Sequence, residues 1–427
     1  MTTKAQISIE PLQALITDKR DVRLSGFAPN TVVTVRTQSR WSTGNHWQGK
    51  ARFLADANGA VDLSTAMPMD GYRWPDALGM VWSMRADSAS PAYPPSSPEP
   101  ISIEWRAEDA SGNSAQTTMV QHFIAEGVSR RKVAEDGVHG DLFMPAGAGP
   151  HPVVIYMNGS SGGISPCMAA VFAANGYACL ALGVFNYEGR PKYISDVELE
   201  YFENALQWVR RTLQPKAGFV AMAGISRGSE MSLLSASYFP DLVSAVIGYV
   251  PTSTINSVAS AGKPEEGRDA DTWRYQGQFL PNVWKPSKTA DWSLAIAQNG
   301  EGVRQTPAFV STLADPEAVA RASIPAEKIR CPVLLLSASD DGFWPSTLYS
   351  QLLLKKLRGY AKHVDLPDAG HYVFYPGLPT TVINKKHAMS GAEVCAGGTP
   401  EANAKANELG HREVLAFLAQ AAAGALS

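Results

Sequence analysis

Apolar and polar residues mostly alternate along the first 125 residues of the chain. In the segment ISIEWRAED, the side chains of Ile101, Ile103 and Trp105 fall on one face, because β-strands have a side-chain period of two. Two further segments have the same character: 31–38 (TVVTVRTQ) and 79–86 (GMVWSMRA). Clusters of turn-forming residues separate these segments and leave little room for a long helix. The pattern predicts an antiparallel β-sandwich over residues 1–126.

The pattern changes at Val153, where short, continuously apolar runs begin to alternate with segments of helical period. Strands that are buried on both faces of a parallel sheet have this composition. The runs are 153–157 (VVIYM), 177–182 (YACLAL), 219–223 (FVAMA), 243–250 (VSAVIGYV) and 332–339 (PVLLLSAS). Residues 127–427 are therefore predicted to form an α/β domain with a doubly wound, mostly parallel sheet.

Two sequence signals predict where helices of this domain begin. Ser195 and Glu198 have the spacing of a capping box, and apolar residues at helical spacing follow up to Leu213. The pair Ser165-Pro166 is expected to open another helix, which Gly176 closes.

Composition narrows the classes of partner. The 427 residues include 37 Lys plus Arg and 40 Asp plus Glu, so the net charge of -3 gives no overall positive field for nucleic acid or an anionic membrane. The expected partner is a small molecule, and the oligomeric state is left open. The chain has scattered cysteines without a C-x-x-C pair, which is not the spacing of a disulfide framework or a zinc site. No cofactor and no metal are expected. The N-terminus lacks an apolar run and no segment is suited to span a membrane, which predicts a soluble, cytoplasmic protein.

The pattern G-x-S-x-G, which marks the nucleophile of many serine hydrolases, occurs twice: in NGSSGG (158–163) and in GISRG (224–228). In a nucleophile elbow, a strand runs through a sharp turn directly into a helix. Ser226 has this context, because an apolar strand precedes it and a helix-compatible run follows. Ser161 is followed by Gly162 and Gly163, which delay the helix, so Ser226 is the predicted nucleophile.

Residues 158–163, called the glycine loop below, are predicted to bind the oxyanion and not to supply the nucleophile. In α/β-hydrolases the turn after an early strand donates a backbone N–H to the oxyanion hole, and a second N–H comes from the residue after the nucleophile. The predicted oxyanion hole is therefore formed at Ser160 and Arg227. A plain surface loop at 158–163 is the alternative.

A serine nucleophile needs a histidine base and a carboxylate that orients it. Asp340 and Asp341 follow the predicted strand 332–339, and Asp341 has the better spacing to Pro345 for an acid loop. His371 follows in DAGHYVF, after a short predicted strand and a glycine-containing turn. The predicted triad is Ser226, Asp341 and His371, with Asp340 as the alternative acid.

The connection at about 252–325, called the lid segment below, is too long for a plain α/β connection and is interpreted as a lid. Its aromatic residues line an acyl pocket or pack the lid onto the domain. They are Trp273, Phe279, Trp284 and Trp292.

With these elements placed, the chain resembles the acyl-CoA thioesterase and bile acid-CoA:amino acid N-acyltransferase family over nearly its whole length. The matching segments are ISIEPLQAL, SGFAPNTVVTVR, GMVWSM, GDLFMPAGAGPHPVVIYMNG, YFENALQWV, AGISRGSE, PVLLLSASDDGFWPS and DAGHY. The resemblance implies an immunoglobulin-like sandwich before an α/β-hydrolase domain, with Ser226, Asp341 and His371 as the triad. It also implies cleavage of acyl-CoA through an acyl-serine. The pair Ser160-Ser161 departs from the glycine-only or more apolar loop expected in the family.

Three functions remain open from the sequence. The first is acyl-CoA thioester hydrolysis, which the family resemblance implies. The second is a general carboxylesterase or an acyl-CoA:amine N-acyltransferase, which would use the same triad. The N-acyltransferase branch of the family carries cysteine at the nucleophile position, so Ser226 favours hydrolysis. The third is a non-catalytic binding protein, which the complete set of triad residues disfavours.

Overall fold

The computed structural model describes residues 4–297 and 302–426. The chain divides into two compact units, each discontinuous in sequence. The first unit contains the chain up to residue 125, together with residues 375–383 and 399–408. The second unit contains residues 126–374, residues 384–398 and the chain from residue 409.

The first unit is a β domain. Its described strands are β1 (Gln6–Glu10), β2 (Gln13–Leu15), β3 (Asp21–Ser25), β4 (Val32–Arg40), β5 (His46–Leu54), β6 (Val61–Asp62), β7 (Arg85–Ala86), β8 (Ile101–Asp109) and β9 (Ser114–His122). They form two sheets, with strand orders β1-β3-β6 and β2-β9-β8-β4-β5-β7. The pair β2 and β9 runs parallel, whereas the other neighbours are antiparallel. That the unit is immunoglobulin-like stays a prediction.

The alternating pattern of the sequence is present in the burial of these strands. Along β8 every second side chain is buried, and the inward-facing Ile103 and Trp105 are fully buried. In the C-terminal half of β4, buried and exposed side chains alternate in the same way. The predicted strands at 31–38 and 101–109 are therefore confirmed.

The predicted strand at 79–86 is wrong over most of its length. Residues Gly79–Trp82 form a short helix, α1, and only Arg85–Ala86 are extended. The Asp76 carboxylate accepts hydrogen bonds from the Leu78 N–H at 2.7 Å and the Trp82 indole N–H at 2.8 Å. These side-chain hydrogen bonds stabilise a local turn over residues 76–82, and they override the strand preference of the apolar residues there.

The second unit is an α/β domain around one large sheet. Its described strands are β10 (Ser129–Glu135), β11 (Val138–Met144), β12 (Val153–Met157), β13 (Ala178–Leu182), β14 (Val197–Glu198), β15 (Val220–Ile225), β16 (Ala245–Tyr249), β17 (Trp273–Tyr275), β18 (Gln278–Phe279), β19 (Ile296–Ala297), β20 (Val303–Arg304), β21 (Val333–Ala338), β22 (Ala361–Leu366), β23 (Asn384–Lys386) and β24 (Glu393–Cys395). The large sheet has the order β10-β11-β13-β12-β15-β16-β21-β22. The strands β13, β12, β15, β16, β21 and β22 run parallel to one another. Strands β10 and β11 are antiparallel and lie at one edge of the sheet. The predicted α/β-hydrolase fold is confirmed.

Helices follow most strands of this sheet. They are α2 (Pro166–Ala174), α3 (Glu200–Leu213), α4 (Arg227–Tyr238), α5 (Thr306–Thr312), α6 (Pro316–Ala322) and α7 (Ser346–Leu354). Helix α8 (Pro400–Ala422) begins in the first unit and ends in the second. Strands β12, β13, β15, β16 and β21 are buried at every residue, as the continuous apolar runs predict. No helix within the described residues is both long and apolar enough to cross a membrane.

The two predicted helix starts have different outcomes. The start of α2 is confirmed, with Ser165 as the N-cap residue and Pro166 at its first position. The capping box at Ser195 is wrong, because α3 begins at Glu200 and Glu198 lies in β14. The Ser195 hydroxyl instead donates to the Glu266 carboxylate at 2.6 Å, a partner 71 positions away that local spacing does not reveal.

The aromatic residues of the lid segment fall into two groups. Trp273 is fully buried in the main core of the second unit. Trp284 stacks on Trp292 with ring centroids 3.7 Å apart, and Phe309 meets Trp284 edge-on at 5.2 Å. Phe279 is exposed. Three of the four aromatic residues singled out from the sequence thus pack against other aromatic rings or in the core, whereas Phe279 has the Arg274 guanidinium over its ring at 4.3 Å. The interpretation as a lid stays a prediction.

The glycines of GISRG allow a close approach between β15 and α4. A Cβ atom on Gly224 would lie 2.4 Å from the Gly228 carbonyl carbon, and one on Gly228 would lie 2.2 Å from the Met157 oxygen. Since both obstacles are backbone atoms, neither can move aside as a flexible side chain would. The glycines at 224 and 228 are therefore required for packing.

We expect Gly228→Ala to destabilise the second unit by about 1–3 kcal/mol, because the added methyl group overpacks a rigid contact. Urea denaturation followed by tryptophan fluorescence measures the effect. Gly359→Ala is the matched control, since a Cβ atom there meets nothing within 4 Å. Equal midpoints for the two variants would contradict the packing role of Gly228.

Candidate active site

Ser226 occupies the sharp turn between β15 and α4. Its backbone has φ 58° and ψ -117°, a region that residues other than glycine seldom adopt. The Ser226 N–H donates to the Tyr249 carbonyl at 2.9 Å, which ties the turn to the neighbouring strand β16. Strand, strained turn and helix follow one another as in a nucleophile elbow. The Ser226 side chain retains some access to solvent, with 8% of the residue exposed.

His371 and Asp341 form a buried hydrogen-bonded pair. The His371 Nδ1 atom lies 2.8 Å from Asp341 Oδ1 and 3.0 Å from Oδ2. Asp341 Oδ1 also accepts the backbone N–H groups of Phe343 at 2.9 Å and Trp344 at 3.3 Å, which fix the carboxylate. Because an ionised carboxylate only accepts, Nδ1 carries the proton and Nε2 presents a lone pair. Within the described residues, the buried Nε2 atom has no hydrogen-bond partner.

The order of the sheet brings these three residues to one edge. Strands β15, β16, β21 and β22 are consecutive neighbours, and Ser226, Asp341 and His371 follow the carboxyl ends of β15, β21 and β22. Phe343 stacks on the His371 ring at 4.3 Å and lines one small pocket with Ser226. No hydrogen bond joins Ser226 Oγ to His371 among the contacts of the described residues. The structure thus joins Asp341 to His371 directly and brings Ser226 to the same edge.

Asp340 points to different partners from those of Asp341. Its carboxylate pairs with Arg304 at 2.6 Å and accepts the Gly398 N–H at 2.7 Å. The two adjacent aspartates therefore have separate environments, and Asp341 is the one that contacts His371.

Arg227, one of the residues assigned to the oxyanion hole, has a side chain that turns inward. The guanidinium is 3% exposed and lies 2.8 Å from the fully buried carboxylate of Glu230. It also donates to the carbonyl groups of Asn256, at 3.3 Å, and Ser257. The group of Arg227 that can contact a reacting carbonyl is therefore its backbone N–H. This N–H lies at the start of α4 and has no acceptor within the helix.

The glycine loop lies directly beside Ser226. A Cβ atom on Gly159 would be 3.4 Å from Ser226 Cβ and 3.8 Å from its Oγ. Gly162 closes a turn through its N–H to the Gly159 carbonyl at 3.1 Å, and Asn186 holds the Ser161 carbonyl at 3.0 Å. The loop is thus held in place beside Ser226, and its Ser160 forms part of the pocket wall. A role of this wall in oxyanion binding stays a prediction.

One residue of the pocket was not assigned a role from the sequence. His387 lies after β23, lines the pocket with Ser160 and Ser226, and places its Nε2 atom 2.8 Å from Ser160 Oγ. Burial, together with the positive charges of Lys385 and Arg227, lowers the pKa of His387 to about 4. No local motif marks this residue, because its contact joins positions 227 residues apart.

Two family models match this chain. The model for the BAAT / acyl-CoA thioester hydrolase C terminal matches residues 197–424, and the model for the acyl-CoA thioester hydrolase/BAAT N-terminal region matches residues 17–135. The C-terminal match includes the positions of Ser226, Asp341 and His371.

Similar proteins align over nearly the whole chain. Mouse mitochondrial acyl-coenzyme A thioesterase 2 is 30% identical over 421 residues, covering 95% of this chain and 86% of that protein. Mouse acyl-coenzyme A thioesterase 1 is 28% identical, with 94% and 93% covered. Mouse peroxisomal succinyl-coenzyme A thioesterase is 27% identical, with 97% and 96% covered. The solved carboxylesterase EstE1, from a metagenomic library, is 15% identical with a TM-score of 0.41, covering 69% of this chain and 92% of that one.

The two family models match both the N-terminal and the C-terminal part of the chain, and the relatives align from one part into the other. The chain belongs to the acyl-CoA thioester hydrolase/BAAT family.

Proposed function

We propose that this protein hydrolyses acyl-CoA thioesters to a free acid and CoA through an acyl-serine intermediate on Ser226. The observation that carries the proposal is the pair of His371 and Asp341, whose geometry leaves a basic Nε2 atom at the edge of the sheet where Ser226 lies. The relatives that are named acyl-CoA thioesterases support the choice of substrate.

In the proposed mechanism, His371 Nε2 takes the proton of Ser226 as its Oγ attacks the thioester carbonyl. This step requires Ser226 to come within hydrogen-bond reach of Nε2, a contact that often tightens only in the substrate complex. Asp341 holds Nδ1–H and stabilises the imidazolium that forms. The developing oxyanion accepts the N–H of Arg227 and an N–H of the glycine loop near Ser160.

Collapse of the tetrahedral intermediate breaks the carbon–sulfur bond and releases CoA as a thiolate. The thiolate takes the proton from the His371 imidazolium, so CoA departs as the thiol and His371 is neutral again. The CoA thiolate leaves readily, so stabilisation of the oxyanion contributes more to this step than protonation of the leaving group. Water then attacks the acyl-serine with His371 as general base, and the second tetrahedral intermediate releases the free acid and restores Ser226.

Two measurements test this function. A fluorophosphonate probe should label Ser226, which peptide mass spectrometry identifies, and a lack of labelling would favour a non-catalytic binding protein. Hydrolysis rates of acyl-CoA and of aryl esters with the same acyl chain should then be compared. A higher kcat/KM for the thioester supports the proposed substrate class, whereas a clear preference for the aryl ester would make the protein a carboxylesterase.

Ser226→Ala should lower kcat by about 10⁴-fold or more, because it removes the nucleophile. Ser161→Ala should cost far less, since Ser161 lies in the glycine loop and not at the strand-to-helix turn. Steady-state acyl-CoA hydrolysis measures both. Equal losses in the two variants would contradict the choice between the two G-x-S-x-G motifs.

Asp341→Asn should lower kcat by about 10⁴-fold, because the amide places an N–H donor beside His371 Nδ1 and disfavours the basic Nε2 tautomer. Asp340→Asn is the matched control, because the Asp340 carboxylate contacts Arg304 and the Gly398 N–H and not His371, and this variant should retain most activity. Thermal unfolding of both variants checks that they are folded. A larger loss in Asp340→Asn would show that the acid has been misassigned by one residue.

The ratio of free acid to N-acyl amino acid among the products should depend on which atom, oxygen or sulfur, is the nucleophile. An acyl-serine is an oxygen ester and reacts with amines less readily than an acyl-cysteine, so glycine or taurine should compete poorly with water. Ser226→Cys should shift the products toward the N-acyl amino acid. Mass spectrometry of the products formed from acyl-CoA and excess glycine measures the ratio, and abundant N-acylglycine from the unmodified protein would indicate a transferase.

A further inference from the structure

The side chains of Ser160 and His387 form a hydrogen-bonded pair in the wall of the active-site pocket. Ser160 Oγ lies 2.8 Å from His387 Nε2, and both residues line the pocket that contains Ser226. The proposed mechanism uses only backbone N–H groups near Ser160, so neither side chain has a role in it.

Backbone contacts determine which nitrogen of His387 carries the proton. The N–H groups of Met389 and Ser390 point to Nδ1, at 3.3 and 3.4 Å, so Nδ1 is an acceptor. A neutral imidazole then has its proton on Nε2, which donates to Ser160 Oγ. The turn is closed by His387 N–H to the Ala392 carbonyl and by Gly391 N–H to the His387 carbonyl, both at 2.8 Å. The ring is therefore held in one orientation.

The surroundings of His387 keep the ring neutral. The side chain is buried, and the nearby charges that act on it, Lys385 and Arg227, are both positive. Glu230, which pairs with Arg227, accepts from Arg227, Asn256 and Trp273, and among the hydrogen bonds of the described residues none joins it to His387. A neutral His387 with its proton on Nε2 is a fixed hydrogen-bond donor.

This arrangement excludes Ser160 and His387 as a second nucleophile and base. A base must present a lone pair to the hydroxyl, but Nε2 presents a proton. Within the described residues, no carboxylate contacts Nδ1 as Asp341 contacts His371. The consequence for Ser160 is the opposite of activation: its oxygen already accepts a bond, and its own proton is available to donate.

Resting on the proposed function, we infer that the Ser160 hydroxyl is a third donor to the oxyanion and that His387 is the positioning residue that orients it. Gly159 abuts Ser226, so the adjacent Ser160 lies within the same pocket as the carbonyl that Ser226 attacks. The ligand of this donor is the negatively charged oxygen of an acyl-transfer intermediate, in either step of the reaction. A hydroxyl that donates to such an oxygen stabilises the transition state more than the bound substrate.

The test compares variants that remove a donor with variants that retain one. Ser160→Ala and His387→Met should each lower kcat, Ser160→Ala by about 10²-fold, with KM changed by less than about twofold. Ser160→Thr and His387→Gln keep the hydroxyl and the N–H, respectively, and should recover most of the rate. In the His387→Met background, Ser160→Ala should cost much less than it does alone, because His387 acts through Ser160.

His411→Met is the control for His387→Met, because burial also lowers the pKa of His411 to about 4, and His411 is not among the pocket residues. It should leave kcat unchanged. Thermal unfolding separates a loss of fold from a loss of rate. A kcat for Ser160→Ala within about twofold of the unmodified protein, a loss confined to KM, or additive losses in the double variant would each overturn the inference.

The rate at which a fluorophosphonate labels Ser226 gives a second readout, because the phosphoryl oxygen also occupies the oxyanion hole. Failure of the unmodified protein to cleave acyl-CoA would contradict the proposed substrate class alone. The labelling rates of the Ser160 and His387 variants would still report on the third donor, and equal labelling rates in all variants would overturn it.

Discussion

The close contact between β15 and α4 is the constraint on which the site depends. Gly224 and Gly228 let the first turn of α4 lie against the end of β15 and the Met157 carbonyl. Ser226 is held between them at φ 58° and ψ -117°, a conformation that costs about 1–3 kcal/mol and persists because the surrounding packing imposes it. The strain serves the chemistry, since it presents the Ser226 side chain at the edge of the sheet to which β21 and β22 deliver Asp341 and His371.

A buried ion pair connects this turn to the lid segment. Glu230 is fully buried, and it accepts from Arg227, from the Asn256 N–H and from the Trp273 indole. Breaking such a pair by removing one partner typically costs about 3–5 kcal/mol, because the other charge is left buried without compensation. The start of the lid segment is thereby fixed to α4, and the Arg227 side chain is committed to that network and not to the substrate.

The features predicted well from the sequence are those that depend on local pattern. Period-two alternation identified β8, continuous apolar runs identified the parallel strands, and the spacing to Pro345 selected Asp341, which is the aspartate that contacts His371. The wrong predictions concern residues whose hydrogen-bond partners lie far away in the sequence, or whose local hydrogen bonds compete with the predicted secondary structure. Asp76 accepts the Leu78 N–H and stabilises a turn where Met80 and Val81 suggest a strand, and Ser195 bonds to Glu266 instead of capping α3. His387 reaches the pocket through a fold-dependent contact with Ser160, which no spacing rule encodes.

The most direct test of the mechanism is to trap the acyl-enzyme. Rapid quenching of the protein with acyl-CoA, followed by digestion and mass spectrometry, shows which peptide gains the mass of the acyl group. The mechanism predicts that the acyl group is attached to Ser226 and that the adduct decays at a rate compatible with turnover. An acyl group on Ser160 or Ser161, or steady hydrolysis with no covalent adduct on any serine, would contradict it.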